Sequence, residues 1–69
     1  MNISINGQKD SVNQESITVQ ELLKTKDVPD PDMVSVQLNG SILDRASFST
    51  QQVKEGDEFE FLYFMGGGQ

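Results

Sequence analysis

The 69-residue sequence predicts an α+β fold, with one helix laid on a mixed sheet of four or five strands. Two Asn-Gly pairs sit between short apolar runs, as hairpin turns do. A single stretch, ITVQELLKTK, has helical spacing, and the run EFEFLYF alternates like a strand. The length allows one domain. Residues 1–65 are expected to form it, and residues 66–69 a flexible glycine tail.

Residues 1–6 read MNISIN, with Met1, Ile3 and Ile5 alternating with Asn2, Ser4 and Asn6. That is a strand with one buried face. Asn6-Gly7 then turns the chain, and residues 9–13 return as a polar edge strand whose main apolar residue is Val12. Thr18 and Glu21 have the spacing of a capping box. Val19, Leu22 and Leu23 share one helical face, and Lys24 and Lys26 suit the negative end of the helix dipole. Pro29 and Pro31 forbid continuation, so the helix is expected over residues 19–26.

Residues 33–38 form the next strand, with Val34, Val36 and Leu38 on one side. Asn39-Gly40 turns it into a short return over residues 41–43. Residues 44–49 make a single turn around Phe48, capped by Asp44, with Phe48 read as a core plug. Glu55-Gly56-Asp57 turns into the last strand, residues 58–64. Phe59, Phe61 and Tyr63 share one face of that strand, and Glu58, Glu60, Leu62 and Phe64 the other. The order strand, strand, helix, strand, short strand, turn, strand suits the β-grasp, or ubiquitin-like, fold. In that fold the first and last strands lie parallel in mid-sheet.

Composition excludes much chemistry. There is no Cys and no His, which removes the usual zinc, iron–sulfur and disulfide frameworks and the Ser-His-Asp relay. No catalytic residue and no metal ligand is assigned. The acidic loop DVPDPDM lacks the glycine and terminal Glu of a calcium loop, so Asp27, Asp30 and Asp32 read as solvated. Net charge is −6, which repels phosphate backbones and anionic bilayers, so neither nucleic acid nor membrane is expected as a partner. A basic protein suits that field, though the charge also serves plain solubility. No stretch approaches the length of a membrane span, and the N-terminal residues lack a signal-peptide pattern. A soluble, cytoplasmic protein is expected.

The tail MGGGQ follows the strand directly. Glycine lacks a Cβ, so it threads a channel that side chains would block. Residues 65–68 would reach about 13 Å at roughly 3.3–3.6 Å per residue. With Phe59 and Phe61 turned to the core, Leu62 and Phe64 face solvent and form a docking patch beside the tail, or else they finish the core or the sheet edge.

These pieces together resemble the ThiS family of sulfur carriers, within the wider ThiS/MoaD ubiquitin-like group. The matching segments are ITVQELL at 17–23, VQLNGSIL at 36–43, the stretch from Arg45 to Phe48, VKEGDEFEF at 53–61 and the glycine tail. Each is weak alone; their order and spacing carry the likeness, and the length fits ThiS better than the longer molybdopterin-synthase subunit. The resemblance implies that the chain is not an enzyme and binds no cofactor of its own. An E1-like adenylyltransferase of the ThiF/MoeB type uses ATP to adenylate the last glycine, here Gly68, after Gly66 and Gly67. Sulfur then replaces AMP, and the thiocarboxylate serves a thiazole synthase of the ThiG type in thiamine biosynthesis. Gln69 departs from the pattern, because it sets the terminal carboxylate one residue too far out, behind a side chain that a glycine-only channel rejects. A trimming peptidase removes it, or the activating enzyme tolerates it, or it is an addition to the natural chain. Trimming weakens the thiamine assignment, since it suits the alternative of a carrier for another acceptor, in cysteine, homocysteine or molybdopterin synthesis. A protein-modifier role and an interaction domain with an idle tail are the other readings.

Overall fold

The computed structural model describes residues 1–26, 28 and 33–63. The strands are β1 (Asn2–Ile5), β2 (Gln8–Ser11), β3 (Val34–Leu38), β4 (Ser41–Leu43) and β5 (Glu58–Tyr63). One helix, α1 (Val19–Thr25), and a short 3-10 turn, Arg45–Ser47, complete the described elements. The sheet order is β2-β1-β5-β3-β4. β1 and β5 run parallel and every other pair is antiparallel. This is the β-grasp arrangement, with the last strand in the centre.

Both hairpins turn where Asn-Gly stands. Asn6 and Gly7 have φ of 53° and 82°, and Asn39 and Gly40 have 52° and 88°. Two successive positive φ values make the turn whose twist matches paired strands. The turn at Asn6-Gly7 pairs Ile5 with Gln8, so β2 starts one residue earlier than the alternation implies and ends at Ser11. Val12 lies just past the strand yet stays bound and buried: its N–H donates to the Met1 carbonyl at 2.8 Å, and the Met1 ammonium donates to its carbonyl at 2.6 Å.

The capping box at α1 closes in both directions. Glu21 N–H donates to Thr18 Oγ1 at 3.2 Å, and Thr18 N–H donates to Glu21 Oε1 at 2.9 Å. The two N–H groups that a box leaves orphaned find the loop before β5: Val19 N–H donates to the Gln51 carbonyl and Gln20 N–H to that of Phe48. The helix ends at Thr25 with Lys26 as its cap, one residue short of the expected end. Pro29 and Pro31 lie outside the described residues. Asp44 does not cap through its side chain. Its backbone carbonyl accepts from Ser47 N–H instead, because the turn is 3-10 and too short to need a side-chain cap.

Val19, Leu22 and Leu23 of α1 join Ile3, Val34, Val36, Phe59 and Phe61 of the sheet in one core. Phe48 fills this core as expected, with Val12, Ile17, Val28 and Val53 around its margin. Phe59 and Phe61 lie with ring centroids 6.1 Å apart, tilted by 53°. Asp57 is a charged residue inside this boundary. It accepts from Lys54 N–H at 2.8 Å and from Asn39 Nδ2 at 3.2 Å, which offsets its loss of water.

Lys26 Nζ lies 2.9 Å from Asp10 Oδ2, tying the end of α1 to the edge strand. That hydrogen bond, then the one from Ser11 N–H, holds the Asp10 carboxyl below its ordinary value of 3.8. A depressed carboxyl stabilises the fold above its unfolded pKa, and this gain disappears as pH falls through the folded value. Both groups are part exposed, so the effect is small. Asp10→Asn should therefore lower the thermal midpoint slightly at neutral pH and match wild type once pH is well below 3.8, as followed by circular dichroism. Thr18→Ala removes one arm of the capping box and should cost about 1 kcal/mol in urea unfolding.

Candidate functional site

Strand parity divides β5 into two faces. Phe59 and Phe61 are buried under α1, while Leu62 is 45% exposed on the opposite, outer face. The expected docking residue Leu62 thus faces solvent. Phe64, Gly66, Gly67, Gly68 and Gln69 lie outside the described residues. Tyr63 shares the parity of Phe59 and Phe61 but is 47% exposed, so the buried stripe ends one pair before it.

Leu62 has an apolar companion that alternation alone does not reveal. β4 is three residues long and carries Ile42 beside Leu43, so sequence cannot say which of the two turns outward. The register answers: Leu43 pairs with buried Val36, which sends Ile42 outward opposite Gln37. Ile42 is 74% exposed. Ser35 faces Leu62 and Gln37 faces Glu60, so these small and polar residues of β3 lie between the two apolar ones. Glu58 and Glu60 extend the same outer face with negative charge. A patch of this make-up fits a partner with an apolar prominence and a basic surround.

Next to Ile42 lies a notch of about 170 Å³ between β3, β4 and the 3-10 turn. Arg45 Nη2 crosses its end and donates to the Val34 carbonyl at 2.8 Å. Val34 pairs with Tyr63, so Arg45 braces the end of the sheet from which the tail departs. A larger groove of about 600 Å³ lies at the other end of β1 and β5, around Asn2, Lys9 and Glu55. Among the described residues no group of three acidic residues is placed to hold a metal ion. The acidic residues Asp27, Asp30 and Asp32 lie outside them. Among the described residues no helix is long and apolar enough to cross a membrane.

The model of the ThiS family matches residues 2–68. This chain belongs to the ThiS family. The match runs through the tail to Gly68 and leaves only Met1 and Gln69 outside. The crystal structure of the thiamine biosynthesis protein ThiS from Geobacter metallireducens is similar at 48% identity, with a TM-score of 0.87, over 99% of this chain and 100% of that one. A solution structure of a thiamine biosynthesis protein from the same organism is similar at 47% identity, with a TM-score of 0.83, over 100% of this chain and 90% of that one. No curated protein matches the chain. Family membership agrees with the β-grasp topology of the sheet.

The two faces should differ in what they tolerate. Ile42→Thr and Leu62→Thr keep β-branched or strand-compatible residues on the outer face and should shift unfolding free energy by no more than about 0.5 kcal/mol. Phe61→Ala, on the inner face, should cost about 3–5 kcal/mol in the same urea titration.

Proposed function

We propose that this ThiS-family chain is a sulfur carrier whose working group is the carboxylate of Gly68, freed by removal of Gln69. The observation that carries this reading is the family match, which spans nearly the whole chain and ends on the second of two adjacent glycines, Gly67 and Gly68. The closely similar structures of thiamine biosynthesis proteins favour thiazole formation as the destination of the sulfur.

The chemistry explains what the chain lacks. A carboxylate resists nucleophiles because its negative charge repels them and oxide is a poor leaving group. An E1-like activating enzyme of the ThiF/MoeB type removes that obstacle. A Gly68 oxygen attacks the α-phosphorus of ATP, pyrophosphate leaves, and an acyl-adenylate forms. Hydrosulfide, supplied by the sulfur source, then attacks the carbonyl, AMP departs, and loss of the proton leaves the thiocarboxylate for a thiazole synthase of the ThiG type. The bases and nucleophiles belong to those enzymes, so a carrier without His or Cys is sufficient. ATP likewise belongs to the activating enzyme, and the carrier holds no cofactor. The outer face around Leu62 and Ile42 is the body's contribution: docking there offsets the entropy lost when a glycine tail is ordered.

Gln69 favours one alternative destination. A tail that needs trimming by a peptidase fits carriers serving other acceptors, such as those of cysteine or homocysteine synthesis. The acceptor enzyme decides between them.

The test uses the full chain and a chain ending at Gly68, each with the activating enzyme, ATP and a sulfur source. Intact-mass spectrometry should show an acyl-adenylate and then one oxygen replaced by sulfur on the shorter chain only. Conversion of the full chain would mean that Gln69 is tolerated. Covalent ladders with other proteins would indicate a modifier, and no adenylate on either chain would overturn the carrier reading. Ile42→Thr and Leu62→Thr should lower kcat/KM for adenylation while leaving the fold intact.

A further inference from the structure

β5 is not paired along its whole length. Hydrogen-bond directions follow parity. Asn6 N–H donates to the Phe59 carbonyl at 2.9 Å, and Phe61 N–H donates to Asn6 Oδ1 at 2.8 Å. Odd-numbered residues of β5 therefore point their backbone groups toward β1. Even-numbered ones point toward β3, as Glu58 does in donating to Asn39 Oδ1 at 3.0 Å. β1 ends at Ile5, opposite Phe59, and the chain then turns away at Asn6-Gly7. Asn6 supplies the last rung with its side chain. Beyond it the Phe61 carbonyl and the Tyr63 N–H point into the gap on the β1 side, and among the described residues nothing pairs with them. On the other side β3 follows β5 up to Tyr63. Among the described residues, the half of β5 that ends at Tyr63 is thus a sheet edge on one side only.

We propose that this edge receives an extended main-chain segment of the activating enzyme, which adds a short strand beside Phe61 and Tyr63. The inference rests on the sulfur-carrier reading above and assigns a second contact beside the apolar patch. The segment offers a carbonyl to Tyr63 N–H and an N–H to the Phe61 carbonyl, the pairing that strand addition uses. The incoming segment would lie next to Leu62 on the outer face, close to Glu60, which favours an apolar side chain followed by Lys or Arg. A second copy of this chain is a poor occupant. The free edge is only about three residues long, too little for a stable edge-to-edge dimer. Two copies would also bring net charges of −6 together. Pairing at this edge aligns β5 with the enzyme's backbone just where the tail begins, so the docked body and the threaded tail share one direction.

Tyr63→Pro deletes the N–H that faces the gap and breaks no rung to β3, since that rung belongs to Leu62. Tyr63→Ala deletes the side chain and keeps the N–H. In chains ending at Gly68, Tyr63→Pro should bind the activating enzyme about 10-fold more weakly than Tyr63→Ala. Both should unfold at the same urea concentration. Hydrogen exchange on the unsubstituted chain gives an independent readout. The Tyr63 amide should exchange far faster than the Phe61 amide in the free carrier and become protected in the complex. Equal binding by the two variants, protection of Tyr63 in the free chain, or no protection in the complex would each overturn the edge pairing. A chain that is adenylated while its Tyr63 amide stays exposed rejects this inference alone; a chain that never binds or reacts rejects the carrier reading with it.

Discussion

Everything in this small domain depends on the parity of β5. The strand lies between a parallel neighbour and an antiparallel one, and from Glu58 to Leu62 its side chains alternate between core and solvent. A slip of one residue would carry Phe59 and Phe61 out of the core and put Glu60 and Leu62 under the helix. The sheet prevents that slip with side chains as well as with the ladder. Asn6 and Asn39, each already committed to a tight turn, reach β5 from opposite sides and accept its N–H groups at Phe61 and Glu58. The same two residues therefore set hairpin geometry and strand register. That economy matters in a chain with no cysteine and hence no disulfide to lock it.

Because register and core are settled together, the outer face is free to be apolar. Leu62 and Ile42 contribute nothing to the packed interior, and neither is needed to cover the helix. Their exposure is a burden in isolation, since uncovered apolar strands invite association. The acidic residues beside them, Glu58 and Glu60, oppose self-association and welcome a basic partner. Arg45 completes the arrangement by bracing β3 at its first residue, so the end of the sheet that leads to the tail does not fray into solvent.

Much of this was legible from residue patterns with local causes. The Asn-Gly turns, the Thr18/Glu21 box and the alternation of β5 each depend on neighbours a few positions away, and each appears in the fold. Features decided by distant partners were not legible. Val12 looked like a strand residue, but the two-residue turn shifts β2 so that Val12 is held from outside it by Met1. Asp44 looked like a cap, but the turn it begins is too short to use one. Ile42 could not be assigned a face until its pairing with β3 was known. The ordered roles of Asn6 and Arg45 depend on backbone groups that no linear pattern marks.

The parallel pairing of β1 with β5 also shapes how the domain comes together. Asn6 and Phe61 meet across 55 positions of chain, so the central rungs cannot form until the two ends of the domain have found each other. Local hairpins and the helix can flicker into existence earlier, but none of them has a completed core to rest on. Contacts of such high sequence separation slow folding and make it all-or-none. Loss of β1 or of β5 therefore removes the central rungs outright, and the domain should unfold as one unit rather than strand by strand.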